Sequence, residues 1–399
     1  DITDFYGVDP RLGTPGNVVE VIQLARSRGI RVIIDFVMNH TSNRHPWFKE
    51  SRKSLDNPKR DWYVWRRSTP PDTSKEVVFP DAEDSIWTKD EKTGEYYLHH
   101  FYRTQPDLNI ANPAVQEEIA KIIGFWLQVG LDGFRVDVAH LLKKDLSEPL
   151  PSQAELDAAD RTVGNGRLED RDEVHDIYRH WRQIFNEYDP PRVAVAEAWV
   201  PANRRPSYAT REELGQAFNF DLLQAPFRAE ELRRIIDDNL ALAARSGSST
   251  TWVLSNHDVV RHATRYGLPE ELRDGRQYVL GDGHTIACDA DLGLRRALAA
   301  TLLILALPGS TYLYQGEELG LPQVVDIADE YRQDPTFFRS PGVDKGRDGC
   351  RVPLPWTPDG PSLGFGSGEP HLPQPTRFRD LAVSRQDADS RSPLNVYRR

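Results

Sequence analysis

The segment "GFRVDVAH" (133–140) sets Phe134, Val136 and Val138 in alternation with Arg135 and Asp137. As a β-strand it would bury the apolar set and turn the arginine and the aspartate to one face, two residues apart. A charge buried without a partner is costly, so that face must balance its charges. A guanidinium beside a carboxylate favours the ionised form and lowers its pKa. An ionised carboxylate that points into a pocket can act as a nucleophile. The same two residues would also serve as a plain buried ion pair. Glu197 in "VAVAEAW" is a lone acid after an apolar run, beside Trp199. Apolar neighbours raise a carboxyl pKa, as a general acid requires; a solvated glutamate at a loop start is the other reading. Asp258 closes "TWVLSNHD" behind Asn256 and His257. Asp35 and His40 in "DFVMNH" read as scaffold and hydroxyl-binding groups. Taken together, carboxylates at several strand ends suggest glycosidic-bond chemistry, which needs one ionised and one protonated carboxyl across a sugar.

Other chemistries lack their marks. There is no HExxH or CxxC spacing, no GxSxG elbow, and no GxGxxG or P-loop turn after a strand. No metal and no cofactor is therefore expected. Nine Trp, 14 Tyr and 11 His supply rings for a neutral, hydroxyl-rich ligand, although core packing accounts for such rings equally well. A net charge of −11 argues against nucleic acid or an anionic membrane as partner. The most apolar run, "LAATLLILALPG", is too short to span a bilayer. Two distant cysteines, Cys288 and Cys350, form no disulfide framework, so a reducing, cytoplasmic location is the expectation. The chain opens on Asp1, which leaves a signal peptide open. Oligomeric state cannot be read from the sequence.

The elements that would carry these acids recur as helix, glycine, strand. "GNVVEVIQLARSRG" has a helical stripe of Val18, Val21, Ile22 and Ala25 that stops at Gly29, and "IRVIIDFVMNH" follows as a β-branched run. "NPAVQEEIAKIIGFWLQVG" predicts a helix capped by Asn112, opened by Pro113 and closed by Gly130, with Val115, Ile119, Ile122 and Trp126 on one face. The rhythm returns before Glu197, before Asp258 and before "STYLYQGEELG". Helices that alternate with uniformly apolar strands imply a parallel sheet covered by helices. Polar residues at several strand ends favour a (β/α)8 TIM barrel over a doubly wound sheet. We expect barrel over 1–40, an inserted subdomain over 41–110 after the third strand, and the rest of the catalytic barrel over 111–399.

With these segments in view, the chain resembles the α-amylase family of glycoside hydrolases, in its exo-acting α-glucosidase and oligo-1,6-glucosidase branch. The resemblance rests on "DFVMNH", "QPDLN" (105–109), "GFRVDVAH", "EAW" (197–199), "SNHD" (255–258) and "PGSTYLYQGEELG" (308–320), in that order. It implies a retaining mechanism with Asp137 as nucleophile, Glu197 as acid and then base, and Asp258 stabilising the transition state. It implies that Arg135 orients Asp137, that His40 and His257 bind glucose hydroxyls, and that Asp35 supports their pocket. Arg347 in "GRDGCRVPLPW" (346–356) would clamp the terminal 4-hydroxyl, with Arg351 as the other candidate, and Phe101 would line the pocket. Asn39 answers to a calcium ligand of the amylases, without other support. Val138 looks like the branch that accepts α-1,6 bonds, and "VAHLLK" lacks the Lys-His pair of endo-acting amylases. The family's first strand and its C-terminal β-sandwich would lie outside these residues, so the chain reads as an interior fragment, expected to be inactive if made alone. The expected partner is a small gluco-oligosaccharide. Trehalose synthase and a sucrose-acting enzyme are the rival activities. A non-catalytic transporter heavy chain, which shares the barrel, would lack these carboxylates.

Overall fold

A computed structural model describes residues 1–399 apart from 81, 273, 341 and 342. It divides into two compact units. The first comprises 1–218 with 242–249, and the second comprises 219–241 with 250–399.

The first unit is built on a parallel three-stranded sheet, β1 (Ile33–Phe36), β5 (Gly133–Val136) and β6 (Val193–Ala196), in that spatial order. Helix α1 (Pro15–Ser27) precedes β1, α2 (Pro113–Val129) precedes β5 and α3 (Val174–Asn186) precedes β6. The start and stop of α2 follow its sequence. The Asn112 side chain accepts from the Ala114 amide at 2.9 Å, Pro113 opens the helix, and Gly130 closes it at φ 118°. Its inner face buries Val115, Ile119, Ile122, Ile123, Trp126 and Leu127. The register of β5 depends on Gly133: a Cβ there would lie 1.8 Å from the Val193 carbonyl oxygen of β6, so only glycine lets these backbones pair. Phe134 and Val136 are fully buried, with Phe36, Trp181 and Phe185 around them.

Two expectations are corrected in this unit. The apolar stripe of α1 buries Ile22 alone, while Val21 is 58% exposed; the helix turns a narrow edge inward, and a neighbour 100° away around its axis leaves the contact. The run "IRVIIDFVMNH" pairs as a strand only over 33–36, and Asn39 and His40 belong to the loop beyond it.

Between β1 and α2 the chain forms a small antiparallel sheet of β2 (Trp65–Arg66), β4 (Tyr96–Leu98) and β3 (Trp87–Lys89), in that order. A separate apolar cluster backs it, with Val64, Val77, Ile86, Trp87 and Leu98 against Leu150, Leu156 and Leu168.

The second unit pairs β7 (Thr251–Val253) with β8 (Ser310–Tyr312) in parallel. Its core gathers Leu232 and Ile235 of α4 (Ala229–Ser246), Trp252 of β7, and Ala297, Ala300 and Ile304 of α5 (Ala290–Leu305). A further cluster over Leu319 to Leu394 includes Phe378, Leu372 and Val352. Among the described residues, no helix is long and apolar enough to cross a membrane.

Candidate active site

In the first unit the parallel register sets Asp35 of β1 beside Arg135 of β5. Alternation along β5 turns Phe134 and Val136 into the core, so Arg135 and Asp137 share the opposite face. The guanidinium is the centre of that face. Its Nη1 donates to Asp35 Oδ1 at 2.7 Å and to Asp137 Oδ1 at 2.6 Å, and its Nη2 lies 2.6 Å from Glu197 Oε2. Asp137 and Glu197 are thus neighbours across the width of one cation. Three carboxylates share one positive charge.

That balance corrects the expected effect of Arg135. Burial is the largest influence on Asp137 and raises its carboxyl; Glu197 and Asp35 add to the rise, and Arg135 only partly opposes them. The carboxyl is pushed up to about 7, where the residue pair alone suggested a fall. The proton belongs to the cluster as much as to one side chain.

Glu197 is 5% exposed and held on every side. Its amide donates to the Val136 carbonyl at 2.9 Å, and its own carbonyl accepts from Ala139 N at 2.7 Å. Its Oε2 accepts from the Val138 amide at 3.1 Å, and its Oε1 accepts from Trp199 Nε1 at 3.0 Å. Val138 adopts φ 37° and ψ 49°, a left-handed conformation that a β-branched residue rarely takes. This turn aims the amide at Glu197.

His40 and Phe101 come together with ring centroids 4.9 Å apart. Burial lowers the His40 pKa to about 4, so the ring is neutral near pH 7. Its Nε2 lies 3.1 Å from Gln105 Nε2, and Gln105 in turn donates to Asp1 Oδ1 at 2.7 Å. Asn39 reaches His40 Nδ1 at 3.3 Å, and its Oδ1 accepts from Lys144 Nζ at 2.8 Å. The oxygen compared with a calcium ligand therefore rests on an ammonium. Lys144 also lies 2.9 Å from Asp107 Oδ2, which His100 Nδ1 approaches at 2.7 Å. Burial alone would raise the Asp107 carboxyl, but Lys144 and His100 outweigh it and hold it well below the usual range. Sequence reasoning gave Lys144 and His100 no part. Lys144 lies in a segment without periodicity, just beyond a short 3-10 turn over Ala139–Leu141.

In the second unit β7 runs out into Asn256, His257 and Asp258. The Asp258 amide donates to Asn256 Oδ1 at 2.9 Å, a local turn that fixes the end of the segment. Asp258 Oδ1 accepts from Arg347 Nη1 at 2.8 Å and from Arg351 Nη2 at 3.1 Å, and Oδ2 lies 3.4 Å from His257 Nε2. Arg351 Nε also donates to the His257 carbonyl at 2.8 Å. Both arginines weighed from the sequence thus meet the same carboxylate. Arg347 is fixed further by Asp334, whose Oδ2 accepts from its Nε at 2.8 Å and its amide at 2.9 Å. Burial pushes the Asp334 carboxyl up, yet Arg347 more than offsets this and keeps it well below the ordinary value. Asp334 was missed because it lies in an irregular tract rich in Pro, Gly and Arg; it also caps a short helix, its Oδ1 accepting from Thr336 N at 3.0 Å.

The model of the alpha amylase catalytic domain matches residues 1–399. The chain belongs to the alpha-amylase family. The family's catalytic domain is a (β/α)8 barrel of glycoside hydrolases, and solved members share this chain's fold. A probable alpha-glucosidase of Rhizobium meliloti is 35% identical, over all of this chain and 71% of its own length. An oligo-1,6-glucosidase of Parageobacillus thermoglucosidasius is 32% identical, over all of this chain and 72% of its own. The trehalose synthase/amylase TreS of Mycobacterium tuberculosis is 33% identical over the whole chain, which spans 64% of that relative. Among solved structures, the alpha-glucosyl transfer enzyme XgtA superposes with a TM-score of 0.80 at 31% identity, covering 100% of this chain and 72% of that one.

Proposed function

We propose that the protein is a retaining, exo-acting α-glucosidase that removes glucose from the non-reducing end of small α-1,4- or α-1,6-linked gluco-oligosaccharides. One observation carries the reading: Arg135 holds Asp137 and Glu197 on its two terminal nitrogens. Retaining hydrolysis needs a nucleophile and a proton donor close together, roughly 5–5.5 Å apart. Asp137 attacks the anomeric carbon as its carboxylate while Glu197 protonates the leaving oxygen. Glu197 then takes a proton from water, which releases glucose from the Asp137 ester with its configuration kept. Asp258 stabilises the positive charge of the transition state. His40, His257, Asp35 and Phe101 bind and enclose the glucose, and Arg347 fixes its 4-hydroxyl.

The test is product analysis of the full-length protein on maltose, isomaltose, trehalose and sucrose. Glucose as the sole product from maltose or isomaltose supports the proposal, and no turnover of any α-glucoside sinks it. A second reading, isomerisation of maltose to trehalose, is favoured by the likeness to a trehalose synthase/amylase. Trehalose formed from maltose would establish that reading instead.

A further inference from the structure

We propose that Trp199 is the positioning residue for the acid/base carboxyl, and that Oε1 of Glu197 is the oxygen through which the proton passes. The inference rests on the reading above, in which Glu197 is acid and then base. The two oxygens of this carboxyl keep different company. Oε2 meets the Arg135 Nη2 at 2.6 Å and accepts from the Val138 amide at 3.1 Å. A carboxyl oxygen offers two lone-pair sites, so Oε2 is filled. Oε1 accepts from the Trp199 indole N–H at 3.0 Å and keeps a second site for a proton. The indole is 43% exposed while Glu197 is 5% exposed, so Oε1 lies on the side of the carboxyl that leads outward.

The steps balance on that oxygen. As the Asp137 carboxylate forms its bond to the anomeric carbon, the glycosidic C–O bond breaks, and the proton on Oε1 moves to the departing oxygen. In the second step the water oxygen bonds to the anomeric carbon, the ester bond to Asp137 breaks, and the proton from water returns to Oε1. Through both steps the Trp199 N–H keeps Oε1 from rotating out of line. Among the described residues, charged and titratable groups around Glu197 include Arg135 on β5, Asp137 just beyond it, and His140, whose ring hydrogen-bonds the Glu197 backbone.

The experiment compares Trp199→Phe with the wild-type full-length protein on maltose and on α-glucosyl fluoride. Fluoride departs without a proton, and kcat/KM reports only the steps through bond cleavage. Loss of the N–H is expected to lower kcat/KM for maltose about tenfold or more, the effect of one hydrogen bond to a charged group. The value for α-glucosyl fluoride should stay within about twofold. The ratio of the two substrates does not depend on the fraction of protein folded. An unchanged ratio, whether both values fall or neither does, overturns the inference. Wild-type protein inert on both substrates overturns the underlying reading instead.

Discussion

The acids of the two units are held in opposite ways. In the first, three carboxylates crowd one guanidinium, and the surplus negative charge together with burial raises Asp137 to about 7. In the second, one carboxylate, Asp258, is met by two guanidiniums and a histidine ring. The first arrangement raises a carboxyl at the strand ends; the second surrounds a single carboxylate with donors. A hydrolase of the proposed kind needs both, since one group must exchange protons while another stays anionic beside a positive transition state.

Removing an acid should have the greatest effect. Asp137→Asn is expected to lower kcat on maltose by about 10⁴-fold or more, measured as glucose released, because it removes the proposed nucleophile. A loss below about tenfold would show that the shared cation does not serve the chemistry.

Removing cations sharpens the contrast. Arg135→Met leaves three carboxylates around one apolar side chain and should cost about 3–5 kcal/mol of stability in denaturant unfolding. Arg351→Met leaves Arg347 on Asp258, so a loss of no more than about 1 kcal/mol is expected. Equal costs would abolish the distinction between the two arrangements.

The pH dependence follows from the raised carboxyl. Asp137 keeps its proton in the folded chain above the point where the unfolded chain releases it. Its contribution to stability is therefore full below about pH 4 and is lost as pH rises toward 7. Thermal unfolding between pH 4 and 7 should show a decline that Asp137→Asn flattens. Since Asp137 must be ionised to serve as the proposed nucleophile, the acidic limb of kcat/KM should fall near pH 7.

A last effect concerns the second unit, where the raised carboxyl is that of Glu317. Burial raises Glu317 to about 8, and the Tyr314 backbone, Arg261 and Arg265 only partly oppose it. Glu317→Gln should stabilise the protein by roughly 1–3 kcal/mol at pH 8 and by less at pH 5, read from denaturation midpoints. No pH dependence of that difference would mean that Glu317 is ionised in the fold.

Much of this was legible before any coordinates. Apolar runs that end in a polar residue gave the positions of Asp137, Glu197 and Asp258, because a strand must pair its backbone whatever lies at its end. Asn112, Pro113 and Gly130 bounded α2 correctly, since capping is a local property. What was not legible depends on neighbours distant in sequence. Arg135 and Asp137 read as a matched pair because the sequence does not reveal that Asp35 and Glu197 reach the same guanidinium. Lys144 and Asp334 lie in segments with no pattern of their own, and their partners Asp107 and Arg347 come from other loops. The exposed edge of α1 shows the same limit: periodicity tells which residues share a face, not how wide a face the neighbour covers.

The left-handed turn at Val138 would suit a glycine better, and a branched side chain there gives up on the order of 1–3 kcal/mol. A glycine, however, would leave the peptide slack and the amide free to swing from Glu197. Val138 is 7% exposed, so its side chain is buried. The residue acts as a splint, trading ease of folding for a fixed bearing at the one peptide that joins the end of β5 to the carboxyl beyond β6.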